Sequence, residues 1–350
     1  MPAFRIYNVL RPLGWLYGLG TGIRNRLYDN GTLKSTTFQV PVISIGNITV
    51  GGTGKTPHTE YIASILKDRF STAVLSRGYG RHTKGFFMSD DHSDSGLIGD
   101  EPLQIKRRFP DLDVAVSENR VKGISRLMNM CAPQVILLDD AFQHRSVTPS
   151  LNILIVNRNR SILADAMLPA GRLRENAAGR RRADIIIVSK CPEDLTSDAM
   201  DSIAHDLKVS TRQKVFFTAL EYGSLYPMNG TAATPAPGCP VLAVTGIADP
   251  APFEAELHKS HTEIRMLSYP DHHEFTKRDI SDMESTLQVM PAGSVMITTA
   301  KDAARLSGMD LKPELLERIF VLPVSVKFLR EQDKFNDMIL EHMQSFGKHK

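Results

Sequence analysis

Val40-Pro41-Val42-Ile43-Ser44-Ile45-Gly46-Asn47-Ile48-Thr49-Val50-Gly51-Gly52-Thr53-Gly54-Lys55-Thr56 is the stretch that decides the fold. Residues 40–45 are an apolar run of the kind that forms a buried parallel strand. A glycine-rich turn follows and ends in Gly54-Lys55-Thr56, where a helix through Tyr61 and Leu66 begins. Glycines let backbone amides turn toward phosphate oxygens without a Cβ in the way. Lys55 offers a cation to the β- and γ-phosphates, the Thr56 hydroxyl can ligate Mg²⁺, and the helix N-terminus favours negative charge. The expectation is a phosphate-binding loop over Gly51, Gly52, Thr53, Gly54, Lys55 and Thr56. It departs from the strict pattern at Thr49, where glycine is usual, and Gly51, Gly52 and Gly54 supply the flexibility instead.

Outward from this loop the chain repeats strand, turn and helix. Further strands are expected at 72–75, 113–116, 134–138, 152–156 and 184–188, with helices at 102–109 and 119–130. Such alternation predicts a mostly parallel sheet with helices on both faces, and ligand sites at the carboxyl ends of its strands. Prolines and glycines gather at 226–240 and mark a boundary. Beyond it a second series is expected: strands at 241–244, 264–267, 295–298 and 319–322, and helices near 280–290 and 334–343. The predicted architecture is α/β: a P-loop NTPase-like core over 36–226 and a second, smaller α/β lobe over 240–350, with the active site in the cleft between lobes. Region 1–35 stands apart in front of the core.

Composition narrows the function classes. The net charge is only +3 and no nucleic-acid-binding module signature appears, so nothing demands nucleic acid. Cys131, Cys191 and Cys239 are far apart and show no CxxC spacing. That fits a reducing compartment and inert thiols rather than a disulfide framework or a zinc site. No cleavable signal peptide is read. Residues 12–23 are charge-free between Arg11 and Arg24. As a helix they would reach about 18 Å, short of the ~30 Å hydrocarbon core of a bilayer. Leu13, Leu16, Gly20, Ile23 and Leu27 make one stripe. Trp15, Tyr17 and Tyr28 favour an interface, and Arg5, Arg11, Arg24, Arg26 and Lys34 outnumber Asp29. The segment fits a helix lying in a membrane surface or one docked on the core, and Gly14, Gly18 and Gly22 weaken it as a helix either way.

Asp139-Asp140 closes the apolar strand 135–138, where a P-loop protein holds Mg²⁺; acids there can also be plain helix caps. Gly99-Asp100-Glu101-Pro102 brings two carboxylates to a helix start, and Asp271-His272-His273 pairs a carboxylate with imidazole. Phosphoryl transfer to an alcohol needs a group of this sort to orient and deprotonate the acceptor. Arg172, Arg174, Arg180, Arg181 and Arg182 read as a solvated face or, opposite a phosphorylated substrate, as a clamp. Ser76-Arg77-Gly78-Tyr79-Gly80-Arg81 suits substrate or nucleotide contact.

Taken in order, Gly46-Asn47 through Pro57, Ser76 to Gly80, Gly99 to Pro102, Asp139 to Arg145, Leu168 to Glu175, Val244 to Ala248, Asp271-His272 and Thr298 to Asp302 resemble the tetraacyldisaccharide 4′-kinase family, the lipid A 4′-kinases. The resemblance covers nearly the whole chain. It implies ATP- and Mg²⁺-dependent phosphorylation of the 4′-hydroxyl of a tetraacylated glucosamine disaccharide 1-phosphate, at the cytoplasmic face of the inner membrane, with no obligate protein partner. It turns the reading of region 1–35 toward membrane contact. Carried over by position, Lys55 and Thr56 belong to the P-loop, and Asp139, Asp140 and Glu101 join Thr56 around the metal. Asp100 activates the acceptor, coupled to His272. Arg77, Tyr79, Arg120, Gln143, His144, Arg174 and Glu175 fall near nucleotide or lipid phosphate. Arg172 stands where the family often has proline, and Ala141 where it often has glycine.

Two rival readings make different demands. A P-loop GTPase would want Asn/Thr-Lys-x-Asp after a late strand, and residues 189–192 read Ser-Lys-Cys-Pro without the aspartate. A non-catalytic scaffold on a membrane would have no use for Asp100, Lys55 and Asp139 together.

Overall fold

A computed structural model describes residues 9–231 and 233–347. Arg5, counted above among the N-terminal cations, lies outside them. The chain divides into two compact units, the first Met1–Arg77, Asp111–Leu220 and Val326–Lys350, the second Gly78–Pro110 and Glu221–Ser325. This division differs from the expected domains at residues 78–110, 221–226 and 326–350. Residues 78–110, expected in the core, group with the second unit, and the closing helix near 334–343, expected in the second lobe, groups with the first.

The strands in chain order are β1 (Val42–Gly46), β2 (Thr72–Ser76), β3 (Phe87–Met88), β4 (Asp113–Val116), β5 (Val135–Asp139), β6 (Leu151–Asn157) and β7 (Ile185–Ser189). They continue with β8 (Lys214–Tyr222), β9 (Tyr226–Pro227), β10 (Val241–Thr245), β11 (Ile264–Ser268), β12 (Val295–Thr299), β13 (Ile319–Leu322) and β14 (Val324–Phe328). In the first unit the order is β14-β8-β7-β6-β1-β5-β2-β4, and every pair from β8 to β4 is parallel. β1, β2, β5, β6 and β7 are buried along their whole lengths, as strands covered on both faces must be. Their runs of Val, Ile and Leu suit that setting, where no polar face is needed. β8, whose inner residues Phe216 and Phe217 are fully buried, went unread in the sequence because its apolar stretch is broken by Thr218 and flanked by charge.

The closing helix Gln332–Ser345 packs in the first unit through Phe335, whose ring lies 5.1 Å from that of Phe216 and 4.7 Å from that of Phe328. Aromatic clusters of this kind bury large areas and fix a helix firmly. The second unit has its own sheet, β11-β10-β12-β13-β9, parallel except for β13 with β9. Its core gathers Leu242, Val244, Met283, Met296 and Ile319.

The N-terminal helix spans Arg11–Asp29. Gly14 is buried, and a Cβ there would stand 3.0 Å from the Met167 carbonyl oxygen and 3.2 Å from Ala170 Cβ; one on Gly18 would stand 3.3 Å from Met167 Cγ. Gly14 and Gly18 therefore form part of the docking face, and Met167 and Ala170 lie against them. Trp15, Leu16, Leu19 and Ile23 stay 78%, 66%, 62% and 52% exposed. No helix among the described residues is long and apolar enough to cross a membrane. Cys131, Cys191 and Cys239 are free thiols, the first and last only partly buried, and burial raises the pKa of all three, Cys191 to about 11.

Candidate active site

β1 delivers the glycine-rich loop at its carboxyl end, in the middle of the sheet between β5 and β6. Gly51 and Gly54 adopt φ of +96° and +82°, a region that side chains with a Cβ rarely enter. Gly54 then caps the helix Lys55–Leu66. Thr49 is where the missing consensus glycine would stand, and its backbone is extended: it bridges antiparallel to Leu173. Val50 N donates to Arg172 O and Arg174 N to Ile48 O, both at 2.8 Å. A β-branched residue suits that short ladder, so no glycine is needed at position 49. The loop is also tied by Asn47 Nδ2 to Thr53 Oγ1 at 2.8 Å, Ser189 Oγ to Thr53 O at 2.7 Å, and Gln143 Nε2 to Asn47 O at 2.6 Å.

Lys55 Nζ lies 3.7 Å from Asp140 Oδ1. Asp140 also receives Arg174 Nη1 on both its oxygens, at 3.0 and 2.9 Å. Burial alone would push the Asp140 carboxyl up; the charges of Lys55 and Arg174 outweigh it and hold the group below the ordinary carboxylate range. Asp139, opposite Ile45 in the β1–β5 register, is fully buried and accepts from Thr59 Oγ1 at 2.9 Å and Ser76 Oγ at 3.3 Å. His58, one turn into the loop helix, is clasped between Gly54 O at 2.7 Å and Thr218 Oγ1 at 3.0 Å, and burial lowers its pKa to about 4.

The remaining candidates of the first unit divide into two kinds. Arg120 is 1% exposed and its guanidinium bonds the backbone carbonyls of Ser117 and Asp139. Glu175 is 3% exposed and is held by Gln143, Arg182 and Asn25. Both brace the site from inside. His144 faces a cationic surrounding: burial, then the charges of Arg120 and Arg77, lower its pKa to about 4. Sequence reasoning missed two cations beside the loop. Arg160 Nη1 stands 3.0 Å from where a Cβ on Gly51 would be, and Lys190 Nζ 3.9 Å from that of Gly52. Lys190 was visible only within the Ser-Lys-Cys-Pro segment, read as a test for guanine.

In the second unit Asp100 opens the helix Asp100–Arg108, after Gly99 at φ +88°. A Cβ on Gly99 would stand 2.7 Å from Tyr79 O. Asp100 Oδ2 lies 3.2 Å from His272 Nδ1 and 2.8 Å from Arg305 Nε. Burial pushes its carboxyl up, and the hydrogen bonds from His272 and Arg305 with the charges of Arg305 and Lys301 bring it below the ordinary range. The pairing of Asp100 with His272, expected across 172 residues, is present in the folded unit. Tyr79 is 70% exposed and edge-on to the His272 ring at 5.4 Å. Glu101 shares the first turn with Asp100. Among the described residues, no three His, Cys, Asp or Glu side chains gather in a metal-holding group.

A family model described as tetraacyldisaccharide-1-P 4′-kinase matches residues 6–344. The chain belongs to the tetraacyldisaccharide-1-P 4′-kinase family. Its similar relatives include proteins named tetraacyldisaccharide 4′-kinase from Phocaeicola vulgatus, 44% identical over 97% of this chain and 96% of the relative, and from Parabacteroides distasonis, 43% identical over 97% and 95%. A crystal structure of LpxK from Aquifex aeolicus, in complex with ATP, is 30% identical with a TM-score of 0.76, covering 97% of this chain and 99% of that one. The family match thus spans residues of both units.

Proposed function

We propose that the protein transfers the γ-phosphoryl group of ATP to the 4′-hydroxyl of a tetraacyldisaccharide 1-phosphate in lipid A synthesis, working at the cytoplasmic face of the inner membrane. As a member of the family it is a kinase with an alcohol acceptor. The observation that carries the reading is the loop ending in Lys55, built on left-handed Gly51 and Gly54 at the mouth of a parallel sheet, within a chain the family matches almost end to end.

In this reading the loop amides and Lys55 hold the β- and γ-phosphates, and Arg160 and Lys190 add charge beside them. Asp100 accepts the proton of the 4′-hydroxyl. The sugar oxygen bonds to the γ-phosphorus, the bond from that phosphorus to the β–γ bridging oxygen breaks, and ADP departs. A carboxylate held below its ordinary pKa serves here, because the transition state is loose and the proton leaves late. The proposal requires the two units to act on one pair of substrates. Arg77, Tyr79, Gln143, His144 and Arg174 are assigned to substrate phosphate and sugar, with Arg120 and Glu175 supporting them.

Oxygen ligands suit Mg²⁺, which keeps several of its waters and takes few protein groups. The Thr56 hydroxyl, buried at the head of the loop helix, and the carboxylate of Asp139 fit that demand; Asp140, engaged by Lys55 and Arg174, and Glu101 are the further candidates. When bound, the metal would neutralise charge on the transferred phosphoryl group.

The exposed apolar face of the N-terminal helix, with Arg11 and Arg26 beside it, supports contact with an anionic lipid surface. The testing experiment incubates the protein in detergent with labelled ATP and a tetraacyldisaccharide 1-phosphate. Label on the lipid, lost in Lys55→Met, is the expected result; nucleotide hydrolysis with no labelled lipid would refute the assignment.

A further inference from the structure

The segments 244–248 and 298–302 lie at the carboxyl ends of β10 and β12. In the second unit they build the support of Asp100. Thr299 caps the helix Ala300–Leu306, so that Lys301, Asp302 and Arg305 follow within two turns. Asp302 is fully buried and accepts from Gly246 N at 3.1 Å and Thr299 Oγ1 at 2.7 Å. It also holds Arg305 Nη1 at 2.8 Å, while the same nitrogen donates to Gly246 O at 3.0 Å. Arg305, 5% exposed, is thus fixed with both Nε and Nη2 at 2.8 Å from Asp100 Oδ2.

On the other side, Lys301 Nζ stands 3.2 Å from His272 Nε2 and 3.3 Å from Asp271 Oδ1. An ammonium group has hydrogens to give and no lone pair to offer. Nε2 must therefore accept, and the ring proton must sit on Nδ1, 3.2 Å from Asp100 Oδ2. His272 itself sits at φ +60°, a conformation that tertiary contacts such as these must maintain. Among the described residues, every hydrogen bond and ion pair to the Asp100 carboxylate falls on Oδ2.

We propose that Lys301 is a positioning residue that locks His272 in its Nδ1–H form, so that His272 and Arg305 together occupy Oδ2 of Asp100 and leave Oδ1 to take the acceptor's proton. His272 then orients the base and does not carry the proton onward, since both its nitrogens are engaged. The inference rests on the assignment of Asp100 as the base.

The test reads the ring directly. The full-length chain is labelled with ¹⁵N-histidine and the His272 signals are assigned with His272→Gln. A pyrrole-like Nδ1 and a pyridine-like Nε2 are expected in the wild type. Lys301→Met should lose that pattern and lower kcat roughly a hundredfold, the scale of a misplaced catalytic group, with the KM for ATP changed less than about twofold. Lys301→Arg, which also only donates, should restore most of both. A proton on Nε2 of the wild-type ring, or an unchanged kcat in Lys301→Met, overturns the proposal. The ring signals need no turnover, so a wild type that leaves the lipid unlabelled would undo the assignment of the base while the form of His272 is read independently.

Discussion

Arg174 spans Asp140: one guanidinium nitrogen, Nη1, lies 3.0 and 2.9 Å from the two carboxylate oxygens, while Lys55 approaches the same group to 3.7 Å. Lys55 is thus held by a carboxylate whose own charge is secured from a neighbouring segment. Asp140 stays ionised against its burial because two cations face it. Its folded pKa is depressed, so its contribution to stability is present above the unfolded value of about 3.9 and is lost as pH falls through the lower folded value. In Arg174→Gln burial has one cation fewer opposing it. The acid-unfolding midpoint should rise, and stability near neutral pH should fall by about 1 kcal/mol. Acid titration followed by circular dichroism checks both; an unmoved midpoint contradicts the role given to Arg174.

Thr49→Gly restores the usual pattern of the motif and should nonetheless weaken the protein. Thr49 is extended and paired with Leu173, so glycine there gains no needed freedom and adds unfolded-state entropy. A loss of about 0.5–1 kcal/mol is expected, measured by denaturant unfolding, with no gain in nucleotide affinity.

The two low histidines set a pH slope. His58 and His144 move from 6.5 to about 4 on folding. Between those values the unfolded chain takes up protons that the folded chain refuses, so stability must fall as pH drops from 6.5 toward 4. His58→Gln should flatten that slope, sparing roughly 2 kcal/mol of the loss at pH 5. Melting temperatures across that interval provide the readout, and parallel curves for the two proteins would count against the burial argument.

Asp100→Asn keeps the shape of the side chain and removes its charge. Turnover should fall by about 10²–10⁴-fold, the range for a lost general base, while ATP affinity by calorimetry stays near the wild-type value. Retained turnover eliminates Asp100 as the base.

Leu16→Glu and Trp15→Glu place charge on the exposed face of the N-terminal helix, away from Gly14 and Gly18. Binding to vesicles containing anionic phospholipid should drop by at least tenfold for the pair of changes, with an unchanged melting temperature. Equal sedimentation with vesicles would remove this face as the membrane contact.

Most of the sheet was legible because buried parallel strands are written as apolar runs, and the loop because its glycines, lysine and threonine stand together directly after such a run. Asp100 and His272 were paired only through family likeness; nothing in their local sequence announces a contact between residues so far apart. The helix carrying Lys301 and Arg305 went unread, since Ala300–Leu306 is seven residues long and follows its strand without a loop. The division into units differs from the expected one for a related reason. A chain that leaves a core after Arg77 and returns at Asp111 does so without a proline-rich linker to mark the exit. Arg120 and Glu175 were picked out by position, and only burial distinguishes a brace from a surface clamp.

The helix Arg11–Asp29 touches the body of the protein through Gly14, Tyr17, Gly18, Arg24 and Asn25 and turns Trp15, Leu16, Leu19 and Ile23 outward. The side that seats the helix and the side left uncovered are therefore opposite faces of one cylinder. In the proposed membrane contact, apolar residues on the outer side could be exchanged to match a different lipid composition without loosening the seat. A single methyl group added at Gly14, by contrast, would press on the Met167 carbonyl and on Ala170 and force that contact to shift.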